Sequence, residues 1–104
     1  MAMNAPPSLA IDRYVIETLL PDLVGHDRSA SAFLVYLVIL AEAGEGRAAL
    51  SHSQLAERAG LSRRAVQTAV ALLRRRQLIE VSRRGVTETS QYRPLAPWRR
   101  RGAW

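Results

Sequence analysis

The chain contains no cysteine and no lysine, a single phenylalanine, and no apolar run longer than the ten residues 32–41. The absence of cysteine excludes disulfide scaffolds, thiolate metal sites and cysteine nucleophiles. The absence of lysine excludes a lysine-completed phosphate loop, and neither a glycine-rich loop nor a G-x-S-x-G elbow occurs. The two histidines, His26 and His52, lack H-x-x-x-H or H-E-x-x-H spacing, so they read as a turn residue and a helix-start residue and not as zinc ligands. No catalytic residue, cofactor, metal or small-molecule ligand is therefore expected, and the chain does not read as an enzyme. The ten-residue apolar run is about half the roughly 20 residues needed to span a bilayer, which makes it a buried helix and leaves no membrane partner. The residues before Arg13 carry neither positive charge nor an apolar core segment. No export signal is expected, and the expected location is the cytoplasm.

What is present is arginine. Fifteen arginines face 9 acids in 104 residues, a net charge of +6, and 48% of the chain is apolar. That is enough apolar material for one folded domain, 1–104, and not two. The charge is divided along the chain: up to Glu57 there are three arginines and seven acids, and from Arg58 onward twelve arginines and two acids. A C-terminal half this basic suits a polyanion such as nucleic acid.

Four helical stretches can be read. From Leu9 to about Leu20, Ile11, Tyr14, Val15, Thr18 and Leu19 follow the spacing of one helical face, and Pro21 is expected to stop or redirect the chain. After a turn at Gly25–Arg28, Ser29 or Ser31 can cap a second helix that runs to about Ala43, with Gly44 as its stop. This second helix is apolar all round, so it requires cover either from its own domain or from a second subunit, and a homodimer through the N-terminal helices 8–44 is expected. Ala48–Leu50 can form a short strand. Ser51-His52-Ser53-Gln54 has the spacing of a capping box, Leu55, Ala56 and Ala59 supply an inward face, Gly60 can take a positive φ, Leu61 can plug inward, and Ser62 can cap the next helix at once. Two short helices meeting at such a turn form a helix-turn-helix.

The helix from about 62 to 76 carries the chemistry. At about 100° per residue with Arg63 at 0°, Val66, Ala69, Val70 and Leu73 fall between roughly 240° and 340°, an apolar stripe for the core. Arg63, Arg64, Gln67, Thr68, Ala71, Arg74 and Arg75 fall between about 0° and 140°, and no acid occurs between Arg58 and Gln77. Ordinary surface helices mix acids with bases for i, i+4 pairing. Arginine and glutamine can read guanine and adenine edges in a major groove, and Ser62 with the first free N–H groups can hold a phosphate. Leu78–Ser82 and Ser90–Leu95 then read as a β-hairpin, a wing at about 82–90 whose Arg83 and Arg84 can reach along the sugar-phosphate backbone or into the minor groove. The remaining tail, 96–104, combines Trp98 and Trp104 with arginines. Disorder or packing on a neighbouring subunit is expected there ahead of contact with bases.

The spacing Leu55-Ala56…Ala59-Gly60-Leu61-Ser62…Val66…Ala69…Leu73, followed by Leu78-Ile79 entering the hairpin, resembles the winged helix-turn-helix domain of bacterial transcription regulators, GntR-like in pattern. Residues 22–37 are similar to the corresponding part of small, stand-alone proteins that carry such a domain. The resemblance implies a mainly α fold with a small β-hairpin, a winged helix-turn-helix over 48–95 preceded by packing or dimerisation helices, and sequence-specific binding of double-stranded DNA in transcriptional regulation. The DNA-binding set is then Ser62, Arg63, Arg64, Gln67, Thr68, Arg74, Arg75, Arg83 and Arg84. Two positions depart from the pattern. Gln77 stands where glycine is usual, so either it accepts a left-handed conformation at about 1 kcal/mol or the turn is built differently. Ala65 stands where threonine is common, which removes one hydroxyl. A protein-interaction module with an acidic partner, and a replication or partition initiator, share the fold and stay open at this point.

Overall fold

The computed structural model describes residues 7–83 and 89–100, the Arg100 side chain excepted. Two π-helical segments, π1 (Val15–Leu19) and π2 (Pro21–His26), lead into helix α1 (Ala30–Ala43). Strand β1 (Ala48–Ala49), helices α2 (His52–Ala59) and α3 (Arg63–Arg75), strands β2 (Ile79–Ser82) and β3 (Gln91–Pro94), and a last turn of helix, α4 (Pro97–Arg100), complete the order. The fold is mostly helical with a three-stranded antiparallel sheet ordered β1-β3-β2, a winged helix-turn-helix.

Of the two outcomes expected at Pro21, a stop or a redirection, the stop does not occur: the helical chain continues across it in altered form. Proline lacks the N–H that an α-helix would bond four residues back, and its ring crowds that carbonyl. The helix responds by widening: the Leu20 N–H bonds the Val15 carbonyl and the Asp27 N–H bonds the Asp22 carbonyl, each five residues back. The helix also starts later than Leu9, because residues 9–12 are not helical. The wider turn changes its inner face. Val15, Leu19 and Leu23 are buried, Ile11 and Tyr14 are half-buried, and Thr18 is exposed.

Helix α1 starts at Ser29, whose hydroxyl accepts the Ala32 N–H at 3.1 Å, and ends at Gly44 with φ 58°. It lies in the middle of the domain, against π2, α2, α3, β1 and β3. Its own chain thereby buries Ala32, Phe33, Val35, Tyr36 and Ile39 and half-buries Leu37, Val38 and Leu40, which accounts for an apolar surface all round. The cover that pointed to a second subunit is thus supplied largely from within. Leu34 stays exposed, as do Leu9, Ile16 and Val24.

In the sheet, Ile79 faces Pro94 and Val81 faces Tyr92 on the core side, while Glu80 lies opposite Arg93 on the other face and bonds it at 3.0 Å. Arg47, just before β1, joins Glu80 at 3.1 Å. β1 adds the third strand by pairing Ala48 with Tyr92 and Ala49 with Gln91.

The segment from Pro97, as far as it is described, packs back on its own chain. Trp98 is buried and stacks on Tyr14 at 4.6 Å between ring centroids. Its indole N–H donates to Asp12 at 2.7 Å, and Arg99 donates to the same carboxylate at 2.7 and 2.8 Å. Arg99 first and Trp98 next hold the Asp12 carboxyl down at about 2, from an ordinary 3.8. The Tyr36 hydroxyl donates to the Leu95 carbonyl at 3.1 Å, and burial pushes its pKa up to about 12. The two ends of the described chain are thereby clasped to each other and to α1.

Candidate nucleic-acid interface

The turn between α2 and α3 is built from local signals. Ser51 accepts the Gln54 N–H at 3.0 Å while the Gln54 side chain accepts the Ser51 N–H at 2.8 Å, a complete capping box. Gly60 closes α2 in the left-handed region at φ 71°, Leu61 packs against the core, and the Ser62 hydroxyl accepts the Ala65 N–H at 3.0 Å to start α3. The positive end of α3 is thereby presented next to a hydroxyl whose own hydrogen is still available.

Helix α3 divides as its sequence predicts. Val66, Ala69, Val70 and Leu73 are buried, and Arg63, Arg64, Gln67, Thr68, Ala71, Arg74 and Arg75 are all exposed. The exposed residues form a ridge with a groove on either side. On one side Gln67 and Arg74 share a groove with His52, Ser90 and the wing residue Arg83; on the other, Arg64, Thr68 and Ser62 share a shallow cleft with Arg28 and Ser31 at the start of α1. Arg84 and the rest of the wing tip lie outside the described residues.

The C-terminal end of α3 resolves the question posed by Gln77. That residue is left-handed, with φ 58°. The Gln77 N–H bonds the Arg74 carbonyl at 3.0 Å and the Leu78 N–H bonds the Leu73 carbonyl at 2.9 Å, the paired bonds of a Schellman cap. Buried Leu73 and Leu78 require the chain to turn here, and glutamine accepts the strained conformation.

The arginines separate into two sets. Arg13 pairs with Glu17 at 2.6 Å, Arg47 and Arg93 with Glu80, Arg58 with Glu42 at 2.6 Å, Arg76 with Asp22 at 2.8 Å and with Asp27, and Arg99 with Asp12. The two carboxylates, Asp22 foremost, hold the Arg76 guanidinium charged beyond its ordinary range and tie the last turn of α3 to π2. Asp27 is held below its ordinary value, by the His26 ring first and Arg76 next. Among the described residues, Arg28, Arg63, Arg64, Arg74, Arg75 and Arg83 have no carboxylate partner. Four of these six are on the outer face of α3 and the other two flank it.

His52 and Arg28 were not legible as members of this surface. His52 reads as a helix-start residue, which it is, and its place beside Gln67 depends on the crossing of α2 and α3. Arg28 is brought there by the packing of α1 on α3, which no spacing in the sequence reports. Among the described residues no cluster of three or more His, Asp or Glu could hold a metal ion, and no helix is long and apolar enough to cross a membrane.

Comparison with curated proteins and with solved structures returned no match. Residues 31–91 match the Crp-like helix-turn-helix domain, and with more than half of its length inside that match the chain belongs to this family of DNA-binding regulators.

Proposed function

We propose that the chain binds double-stranded DNA sequence-specifically in transcriptional regulation, with α3 in the major groove. Arg63, Arg64, Gln67 and Thr68, from the first turns of the helix, meet base edges, where arginine suits guanine and glutamine suits adenine. Ser62, Arg74 and Arg75 hold phosphates, and the wing lays Arg83 and Arg84 on the adjoining backbone. The observation that carries this reading is the segregation of the arginines. Among the described residues each acid except Glu57 neutralises an arginine elsewhere, and the cations left over converge on one helix face that is free of carboxylates. An acidic protein partner would be met by the same charges. The narrow polar order Arg-Arg-x-x-Gln-Thr around a small Ala71 favours a groove.

The reading includes a homodimer through the N-terminal helices, supported by the exposed Ile16, Val24 and Leu34. The family match is Crp-like and leaves the GntR-like subtype without support. Selection of bound duplexes from a random pool tests the proposal as a whole. Enrichment of a defined motif is the expected result, with two-fold symmetry in that motif if two copies bind together. A pool that stays random after repeated rounds, with affinity insensitive to salt, overturns it.

A further inference from the structure

Arg28 sets itself apart from the other arginines of the acidic half of the chain. Arg13 and Arg47 are committed to Glu17 and Glu80, whereas Arg28 is exposed and has no carboxylate partner among the described residues. It also occupies the left-handed region, at φ 54°, in the turn between π2 and α1. A glycine would take that conformation without steric conflict, as it would at Gln77, so the strain belongs to the turn and fixes where the Arg28 side chain leaves the backbone. The third observation is its position: Arg28 lines the cleft shared with Ser31, Ser62, Arg64 and Thr68, on the flank of α3 opposite the groove that holds Arg83.

We infer that Arg28 is a backbone-phosphate contact, which extends the DNA interface beyond residues 31–91 to the side of the recognition helix away from the wing. The inference rests on the DNA reading of α3. A phosphodiester carries one negative charge on two non-bridging oxygens, and the planar guanidinium fork of Arg28 matches that geometry. The hydroxyls of Ser31 and Ser62, in the same cleft, supply neutral donors of the kind that position a duplex without reading it. With Arg83 on one flank and Arg28 on the other, both strands bordering the groove occupied by α3 are held.

The test is fluorescence anisotropy with the full chain, on a selected duplex and on a random one, between 50 and 200 mM salt. R28A and R28G should each weaken both duplexes alike, by about three- to tenfold at intermediate salt. Each should also remove about 3.5-fold of the fall in affinity across that fourfold salt range, the signature of one phosphate contact fewer. R28K should recover most of the affinity. R28G should melt above R28A, since glycine relieves the turn, so a shared loss of affinity in the two variants does not come from misfolding. R28A binding with the affinity and salt slope of the parent, while R64A binds weakly, overturns this inference and leaves the reading of α3 intact. A parent chain that binds no duplex at all overturns both.

Discussion

Replacing Gln77 by glycine should stabilise the protein, and the amount can be worked from the cap at the end of α3. Gln77 is at φ 58°, exposed, and bonded through its backbone alone, so the substitution removes no side-chain contact that is described. A left-handed residue with a Cβ costs roughly 1–2 kcal/mol, and the freedom glycine restores to the unfolded chain offsets about 0.4–1 kcal/mol of the relief. At the middle of both ranges the net gain is about 0.8 kcal/mol, which for a domain of this size raises Tm by about 3–6 °C. Urea denaturation followed by circular dichroism measures it: the midpoint should rise at an unchanged m-value. Q77A is the control, because alanine keeps the Cβ that causes the conflict and should stay within about 0.5 kcal/mol of the parent. If Q77G left the midpoint where it was, or Q77A raised it equally, the strain assigned to this turn would be wrong. DNA affinity should be the same in all three, since Gln77 is not on the outer face of α3.

Two further outcomes concern other parts of the molecule. Arg64→Ala should cost about 1–3 kcal/mol on the selected sequence and relax its preference, whereas Arg75→Ala should weaken all sequences alike and reduce the salt slope by about 0.9; an anisotropy titration of each variant on selected and random duplex separates the two. Asp12 is charged in the folded clasp down to a pKa of about 2 against an ordinary 3.8. Because the folded value is the lower, the clasp contributes in full above about pH 4 and is lost as the pH falls towards 2. With Asp12 partly exposed, the contribution is on the order of 1–2 kcal/mol. Thermal melts from pH 7 to pH 2 should show Asp12→Asn less stable than the parent at neutral pH, with the gap closing in acid; a constant gap would refute the assignment.

The parts of the fold that were legible in the sequence are those fixed by neighbours in the chain. Ser51 with Gln54, Gly60, Ser62 and the four-residue stripe Val66 to Leu73 each act within one or two turns, so the α2-turn-α3 unit is found where spacing predicts it. The widening at Pro21 was not legible, because a proline in a periodic apolar stretch more often ends a helix than relaxes one. The enclosure of α1 depends on elements up to 60 residues away, and periodicity could not tell self-cover from a partner. Trp98 meets Asp12 across 86 positions, so a tail expected to be disordered or to pack on a neighbouring subunit anchors its described part, through Trp98 and Arg99, to the start of its own chain. Pairing of arginines is tertiary in the same way. Among the ion pairs of the described residues only Arg13 with Glu17 has i, i+4 spacing, and the commitment of Arg47, Arg58, Arg76, Arg93 and Arg99 emerged from packing.

The sorting of those arginines also bears on how fast two molecules find each other. Cations neutralised in place by a nearby acid produce little field at a distance, while the six without acids among the described residues sit together on and beside one ridge. A long polyanion therefore exerts a torque on the protein before any surface touches, turning α3 forward while several water layers still separate the two. Association rates that climb steeply as salt is withdrawn, and that fall when a ridge arginine is removed but not when Arg93 is, are what this asymmetry dictates.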